Sequence, residues 1–221
     1  MQDEYFSQPE VSNSDLSWLK KYEQRADVVH DIEKAYRFGT LVDAIVTEPH
    51  KVNYFSRMVQ GVDQMYSAED FEKAKQMLKA FRSDPLCQQI LKTGSFQTVH
   101  KKHREFNYEG IKFEMDVRCK WDFFFSSMGW GCDLKSTTAT TQKQFEEACR
   151  YFDYDRQRAW YMDIVNSDKD MLIGISKVNF KVFKVHIKRG DDFYQSGLDK
   201  YNPLAFKYWM LFDNNLTKTQ N

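Results

Sequence analysis

From Ile111 to Phe123 the chain alternates without a break. Ile111, Phe113, Met115, Val117, Cys119, Trp121 and Phe123 are apolar, while Lys112, Glu114, Asp116, Arg118, Lys120 and Asp122 between them are polar or charged. A two-residue period over such a length fits an extended strand and not a helix, because successive side chains of a strand point to opposite faces of its sheet. One face is expected in the core and the other in water. A strand with one greasy face must be covered by another layer, so this segment alone asks for a sheet with packing elements around it. Asn107-Tyr108-Glu109-Gly110 just before it reads as a hairpin turn, which makes the run 96–108 an antiparallel neighbour.

The flanking segments have helical texture. Ser12-Asn13-Ser14-Asp15 reads as a helix start before LSWLKKYEQ, with Leu16, Leu19 and Tyr22 on one face and Trp18 beside it. A second helix is expected over about 30–46, with Ile32, Ala35, Leu41 and Ile45 at helical intervals and Gly39 in its middle. Ser67-Ala68-Glu69-Asp70 resembles a capping box before FEKAKQMLKAF, and Asp84-Pro85 opens another short helix. After the long strand, Trp130 to Ser136 reads as a third strand. Residues 142–165 read as a helix broken near Phe152-Asp153, MLIGISKV and KVFKVHIK as two more strands, and 191–211 as a closing helix. The expected class is mixed α/β, or α+β, with a small central sheet and a helical N-terminal portion.

With 221 residues, one core is expected. The 32 basic residues balance 32 acidic ones, so no global field steers the molecule toward nucleic acid or an anionic membrane, and any polyanion binding must be local. No apolar run is long enough for a membrane span, and the polar opening MQDEYFSQPE does not read as a signal peptide, so a cytoplasmic location is expected. Cys87, Cys119, Cys132 and Cys149 lack CxxC spacing and read as small buried hydrophobes, which argues against zinc or an iron–sulfur cluster. The absence of a Walker lysine and a G-x-S-x-G elbow sets aside nucleotide-driven motors and serine hydrolases.

The chemistry gathers at strand ends. Alternation along the third strand puts Asp133 and Lys135 on one face, and Asp122 lies at the end of the long strand's polar face. Two carboxylates meeting there repel unless a cation sits between them, and hard oxygen donors suit Mg²⁺ or Mn²⁺. A lysine beside such a cation is expected to have a depressed pKa and to hold or deprotonate an attacking water. An isolated Asp-x-Lys is more often a solvated strand face. Here it stands with Lys120-Trp121-Asp122, Gly131-Cys132-Asp133-Leu134-Lys135 and a helix carrying Gln157 and Tyr161 four apart, hence on one face.

This array resembles the PD-(D/E)xK nuclease superfamily, within it the exonuclease VIII and RecB-type branch. Gly39-Thr40-Leu41-Val42-Asp43 corresponds to its upstream G-x-x-x-His, followed by Asp122, by Asp133-Leu134-Lys135 and by Gln157-Arg158-Ala159-Trp160-Tyr161. The resemblance implies a restriction-endonuclease-like mixed sheet flanked by helices over 12–212, between an N-terminal arm at 1–11, expected to be flexible, and a polar tail at 213–221. It implies Asp122, Asp133 and the Leu134 carbonyl as metal ligands, Lys135 as catalytic lysine, Gln157 ordering the site and Tyr161 supporting the helix or substrate. Trp121 stands where the superfamily name has Pro. Asp43 stands where many relatives have His; a carboxylate can replace imidazole as a ligand, and one or two ions remain open.

The implied activity is a Mg²⁺- or Mn²⁺-dependent DNA nuclease, most of all an exonuclease of linear duplex or single-stranded DNA in recombination, repair or phage replication. A homo-oligomer or a recombination partner protein, and no membrane, completes the expectation. Two alternatives stand beside it: a catalytically silent nuclease-like domain that binds nucleic acid or protein, and a structure-specific or RNA-directed endonuclease. Lys101, Lys102, Arg104 and Lys120 are candidate phosphate contacts, the first three in the basic run His100 to Arg104, and Lys181, Lys184, Lys188 and Arg189 add a second basic strand.

Overall fold

The computed structural model describes residues 4–24 and 30–213. Four helices come first: α1 (Asn13–Gln24), α2 (His30–Thr47), α3 (Ala68–Ser83) and α4 (Pro85–Thr93). A small hairpin of β1 (Val52–Asn53) and β2 (Met58–Val59), not expected from the sequence, sits between α2 and α3. The strands β3 (Ser95–Tyr108), β4 (Ile111–Phe125) and β5 (Trp130–Thr137) follow. Then come α5 (Gln142–Tyr151), α6 (Tyr154–Val165), β6 (Lys169–Ser176), β7 (Val182–Lys188) and α7 (Asp192–Tyr208), closing on a π-turn at Trp209–Asp213. The tail expected beyond that turn, and residues 1–3 of the arm, lie outside the described residues.

Local chemistry accounts for the boundaries. The Ser67 hydroxyl accepts from the Asp70 N–H at 3.0 Å, and the Asp84 carboxylate accepts from the N–H groups of Leu86 and Cys87, both at 3.1 Å. Glu109 and Gly110 both have positive φ, 51° and 82°, the twist a two-residue hairpin turn requires. Asp153, at φ 56°, breaks α5 from α6 where the sequence places the break.

The five strands form one sheet in the order β3-β4-β5-β6-β7, antiparallel except for the parallel pair β5–β6, whose crossover is α5 and α6. Helices cover both faces, the restriction-endonuclease-like arrangement. One core holds Leu16, Val117, Cys119, Trp121, Phe145, Trp160, Leu172 and Tyr201; the other holds Leu41, Ile45, Met77, Phe81, Phe123, Cys132, Leu134 and Ile173. All four cysteines are buried free thiols. No helix among the described residues is long and apolar enough to cross a membrane.

Three expectations about faces need correction. Tyr22 is exposed although Leu16 and Leu19 are fully buried, so the dry face of α1 is narrower than its pattern implies. Arg118, on the expected wet face of β4, is buried. Beyond its pairing with β5 the edge of β4 is capped by Val11, whose N–H donates to the Asp116 carbonyl and whose carbonyl accepts from the Arg118 N–H. The Tyr5 ring lies 4.9 Å from the guanidinium and Asp15 3.6 Å from it. The third correction is the alternation itself, which is not continuous. Trp121 enters the core under α6 while Phe123, of the same parity, enters the opposite core and stacks on Phe81 at 5.8 Å. The strand changes face at Asp122.

Asp163 ties the α6–α7 side together. Its carboxylate accepts from Arg104 on β3 at 2.7 Å, from Arg189 after β7 at 2.6 Å, and from the hydroxyls of Tyr194 (2.7 Å) and Tyr201 on α7. Burial would raise this carboxyl, but Arg104 and those donors outweigh it and hold it below the ordinary range. Such a group adds stability above the unfolded-state value of roughly 3.9 and loses it as pH falls through the lower folded value. Asp163→Asn is therefore expected to cost about 3 kcal/mol in urea unfolding at pH 7, with the difference from the parent shrinking below about pH 4. An equal urea midpoint at pH 7 would contradict the assignment.

Candidate active site

The β4–β5 ladder is short, pairing only Phe125–Trp130, Phe124–Gly131 and Phe123–Cys132. The next residues on each strand are Asp122 and Asp133, so both carboxylates stand where the strands part. The Leu134 N–H, which an intact ladder would hand to a β4 carbonyl, instead donates to Asp122 Oδ2 at 2.7 Å. Gly131 permits the close packing beside this fork: a Cβ there would lie 2.4 Å from the Phe123 carbonyl oxygen and from the Trp121 ring.

Asp43 approaches from α2. Its carboxylate and that of Asp122 face the same side-chain nitrogen, Gln97 Nε2, at 3.3 and 3.2 Å. Thr47, one turn after Asp43 on α2, places Oγ1 at 3.0 Å from that nitrogen. Gly39, one turn before Asp43, is not sterically demanded, because a Cβ there would meet only Ser136 Oγ at an ordinary 3.7 Å. Both carboxyls are short of positive charge. Burial and then Asp133 push Asp43 up to about 6, and burial, then Asp43 and Asp133, push Asp122 well above the usual carboxylate range.

Asp133 is in the opposite condition. Its Oδ1 accepts from Arg158 Nη1 at 2.8 Å. Its Oδ2 meets Lys135 Nζ at 2.5 Å, an ion pair without the angle of a hydrogen bond. Arg158 is fully buried, and its Nε also donates to Asp170 of β6 at 2.8 Å, with the Trp121 and Tyr161 rings each 4.4 Å from its guanidinium. Burial lowers Lys135, but Asp133, Tyr154 and Asp122 outweigh it and hold the ammonium above its usual range.

The α6 residues divide by role. Tyr161 is buried against Trp121, ring centroids 5.4 Å apart, and supports Arg158 without reaching the carboxylates' hydrogen bonds. Gln157 Oε1 is buried with no hydrogen-bond partner. Tyr154 carries the Lys135 ammonium over its ring at 4.7 Å. Gln97, Arg158 and Tyr154 were not singled out in the sequence; the one available signal was the spacing of Tyr154, Arg158 and Tyr161 on a single face of a helix.

The candidate phosphate contacts fare unevenly. Arg104 is committed to Asp163 and Tyr201, Lys101 pairs with Glu10 at 2.7 Å, and Lys120 lies 5.9 Å from the Tyr5 ring. Lys102 is exposed. On the second basic strand, Lys184 pairs with Asp84 at 2.5 Å and Arg189 with Asp163.

The donor set suits a hard cation in one particular way. Among the described residues no three His, Cys, Asp or Glu side chains form a metal cage. Two undercharged carboxylates converging at the fork are nonetheless what Mg²⁺ uses, since it keeps several waters and binds through one or two carboxylates plus substrate phosphates.

No curated protein matches the chain. Among solved structures, a phage related exonuclease from Haemophilus somnus 129PT is 14% identical, over 76% of this chain and 80% of its own, with a TM-score of 0.41. A protein solved as SSO0001 is 13% identical over 67% of each chain, with a TM-score of 0.37. Residues 11–217, nearly the whole chain, match the family described as PDDEXK-like domain of unknown function (DUF3799). The chain belongs to that family of PDDEXK-like domains.

Proposed function

We propose that this chain is a Mg²⁺- or Mn²⁺-dependent deoxyribonuclease, an exonuclease of linear DNA acting in recombination, repair or phage replication. The observation that carries the reading is the pair of half-buried, undercharged carboxylates Asp43 and Asp122, which converge on Gln97 Nε2 beside the Asp133–Lys135 ion pair. Residues that would hold the ion are Asp43, Asp122, Asp133 and the Leu134 carbonyl; when bound, it supplies Lewis acidity to the scissile phosphate and a more acidic attacking water.

The rest is done by the chain. Asp133 pairs with the Lys135 ammonium at the fork, where the lysine would hold or deprotonate an attacking water or hold an anionic phosphate oxygen. Tyr154 and Asp133 together limit where the ammonium points. Arg158 fixes Asp133 from beneath through a charge-assisted bond and is itself anchored by Asp170. Lys101, Lys102 and Lys120 are the proposed phosphate contacts away from the fork. Arg104 is withdrawn from that set by its ion pair with Asp163.

A second reading, a silent nuclease-like domain that binds nucleic acid or a protein, draws on one observation: both oxygens of Asp133 already face cations of the chain itself. Activity separates the two. Linear duplex DNA is expected to be degraded in Mg²⁺ and to survive in chelator. Asp133→Asn and Lys135→Ala should each slow degradation by about 10²-fold or more. Undiminished activity in either variant, or none in the parent protein, would contradict the proposal. Comparison of linear with circular DNA, and then RNA, assigns the exonuclease and DNA labels.

The clamp has its own test. Arg158→Met leaves Asp170 buried without its counter-charge and Asp133 with Lys135 alone, and is expected to cost about 3–5 kcal/mol in urea unfolding. A loss below about 1 kcal/mol would show that the guanidinium does not hold them.

A further inference from the structure

Gln97 is the one residue of β3 that leaves the ladder inside the site. Its neighbours pair with β4 as Phe96–Phe123 and Thr98–Trp121, but Gln97, opposite Asp122, does not pair, and its φ is +50°. That left-handed conformation is unfavourable for a side-chain-bearing residue and persists only where the surroundings over-determine it. The surroundings here are polar. Within 3.4 Å of Gln97 Nε2 lie Thr47 Oγ1 at 3.0 Å, Asp122 Oδ1 at 3.2 Å, and Asp43 Oδ2 and Oδ1 at 3.3 and 3.4 Å.

An amide nitrogen has two hydrogens to give, and all of these contacts but the one to Thr47 lie at or beyond the long end of N–H···O bonds. The amide is held to a convergence of oxygens rather than to one partner. Its NH₂ group, not its Oε1, faces the carboxyl oxygens. The same convergence that makes two acids share one weakly positive NH₂ group would accept a divalent ion.

We propose that Gln97 is a placeholder: its side-chain NH₂ fills the cation position between Asp43 and Asp122 in the ion-free protein and withdraws when the ion enters. This rests on the metal-dependent reading above. The amide screens two half-buried acids from each other, and its displacement is part of the cost of loading the site. Gln97 is a positioning residue for the carboxylates, not a catalytic one.

Two measurements on the full chain test it, using Mg²⁺ for NMR and Mn²⁺ for calorimetry. The Gln97 NH₂ resonances, assigned by their absence in Gln97→Gly, should move on Mg²⁺ addition toward the position of a solvent-exposed amide. Gln97→Gly keeps the left-handed backbone accessible and should bind Mn²⁺ at least about threefold more tightly than the parent, by loss of the competing hydrogen bonds. Amide signals that stay in place while Mg²⁺ binds would overturn the placeholder, and so would equal or weaker Mn²⁺ affinity in Gln97→Gly. In those cases the metal site itself stands. Absence of binding in both proteins would overturn the metal site and the placeholder together.

Discussion

The parting of β4 and β5 after Phe123–Cys132 is the constraint on which the rest depends. A ladder that continued would satisfy the Leu134 N–H with a backbone carbonyl and leave Asp122 and Asp133 as a cross-strand pair of like charges, which is destabilising. Because the strands diverge, the Asp122 carboxylate replaces that carbonyl, and the space opened at the fork is entered by Asp43 from α2, Gln97 from β3 and Lys135 from β5. Gly131 and Trp121 support the opening by packing closer than any residue with a Cβ would allow.

The charges around the fork are unevenly satisfied, and this distinguishes a site from a structural ion-pair network. Asp163, on the other side of α6, is surrounded by two arginines and two tyrosines and is held below the ordinary carboxylate range. Asp43 and Asp122 are half-buried and meet neutral donors, the Gln97 amide at both, the Thr47 hydroxyl at Asp43 and the Leu134 N–H at Asp122, and desolvation with their neighbouring acids raises both. Asp133 is paired to Lys135 and Arg158. An added divalent charge would correct the imbalance at Asp43 and Asp122 and nowhere else among these groups.

Much of this was legible in the chain and some was not, for physical reasons. The alternation at 111–123 located β4, the capping residues Ser67 and Asp84 located α3 and α4, and the Asp-x-Lys spacing located β5's polar residues, because each is a local rule of backbone or side-chain geometry. The change of face at Asp122 was invisible: it coincides with the positive φ of the unpaired Gln97 opposite, and nothing in a glutamine announces a positive φ. Arg118 was misassigned to water because the covering segment, Tyr5 to Val11, lies far away in sequence. Arg104 looked like a phosphate contact within its basic run until α6 and α7 brought Asp163 and Tyr201 to it. Arg158 lay inside the motif at 157–161 yet was passed over, since only the fold reveals that it reaches Asp133.

The central claim is that the fork holds a divalent ion through Asp122 and its neighbours. The most direct measurement is a crystal soaked in Mn²⁺ and recorded at an energy where manganese scatters anomalously. The account predicts a peak at the fork bonded to Asp122 and lost in Asp122→Ala crystals. A map with no peak there, or with manganese only at surface carboxylates, would contradict it.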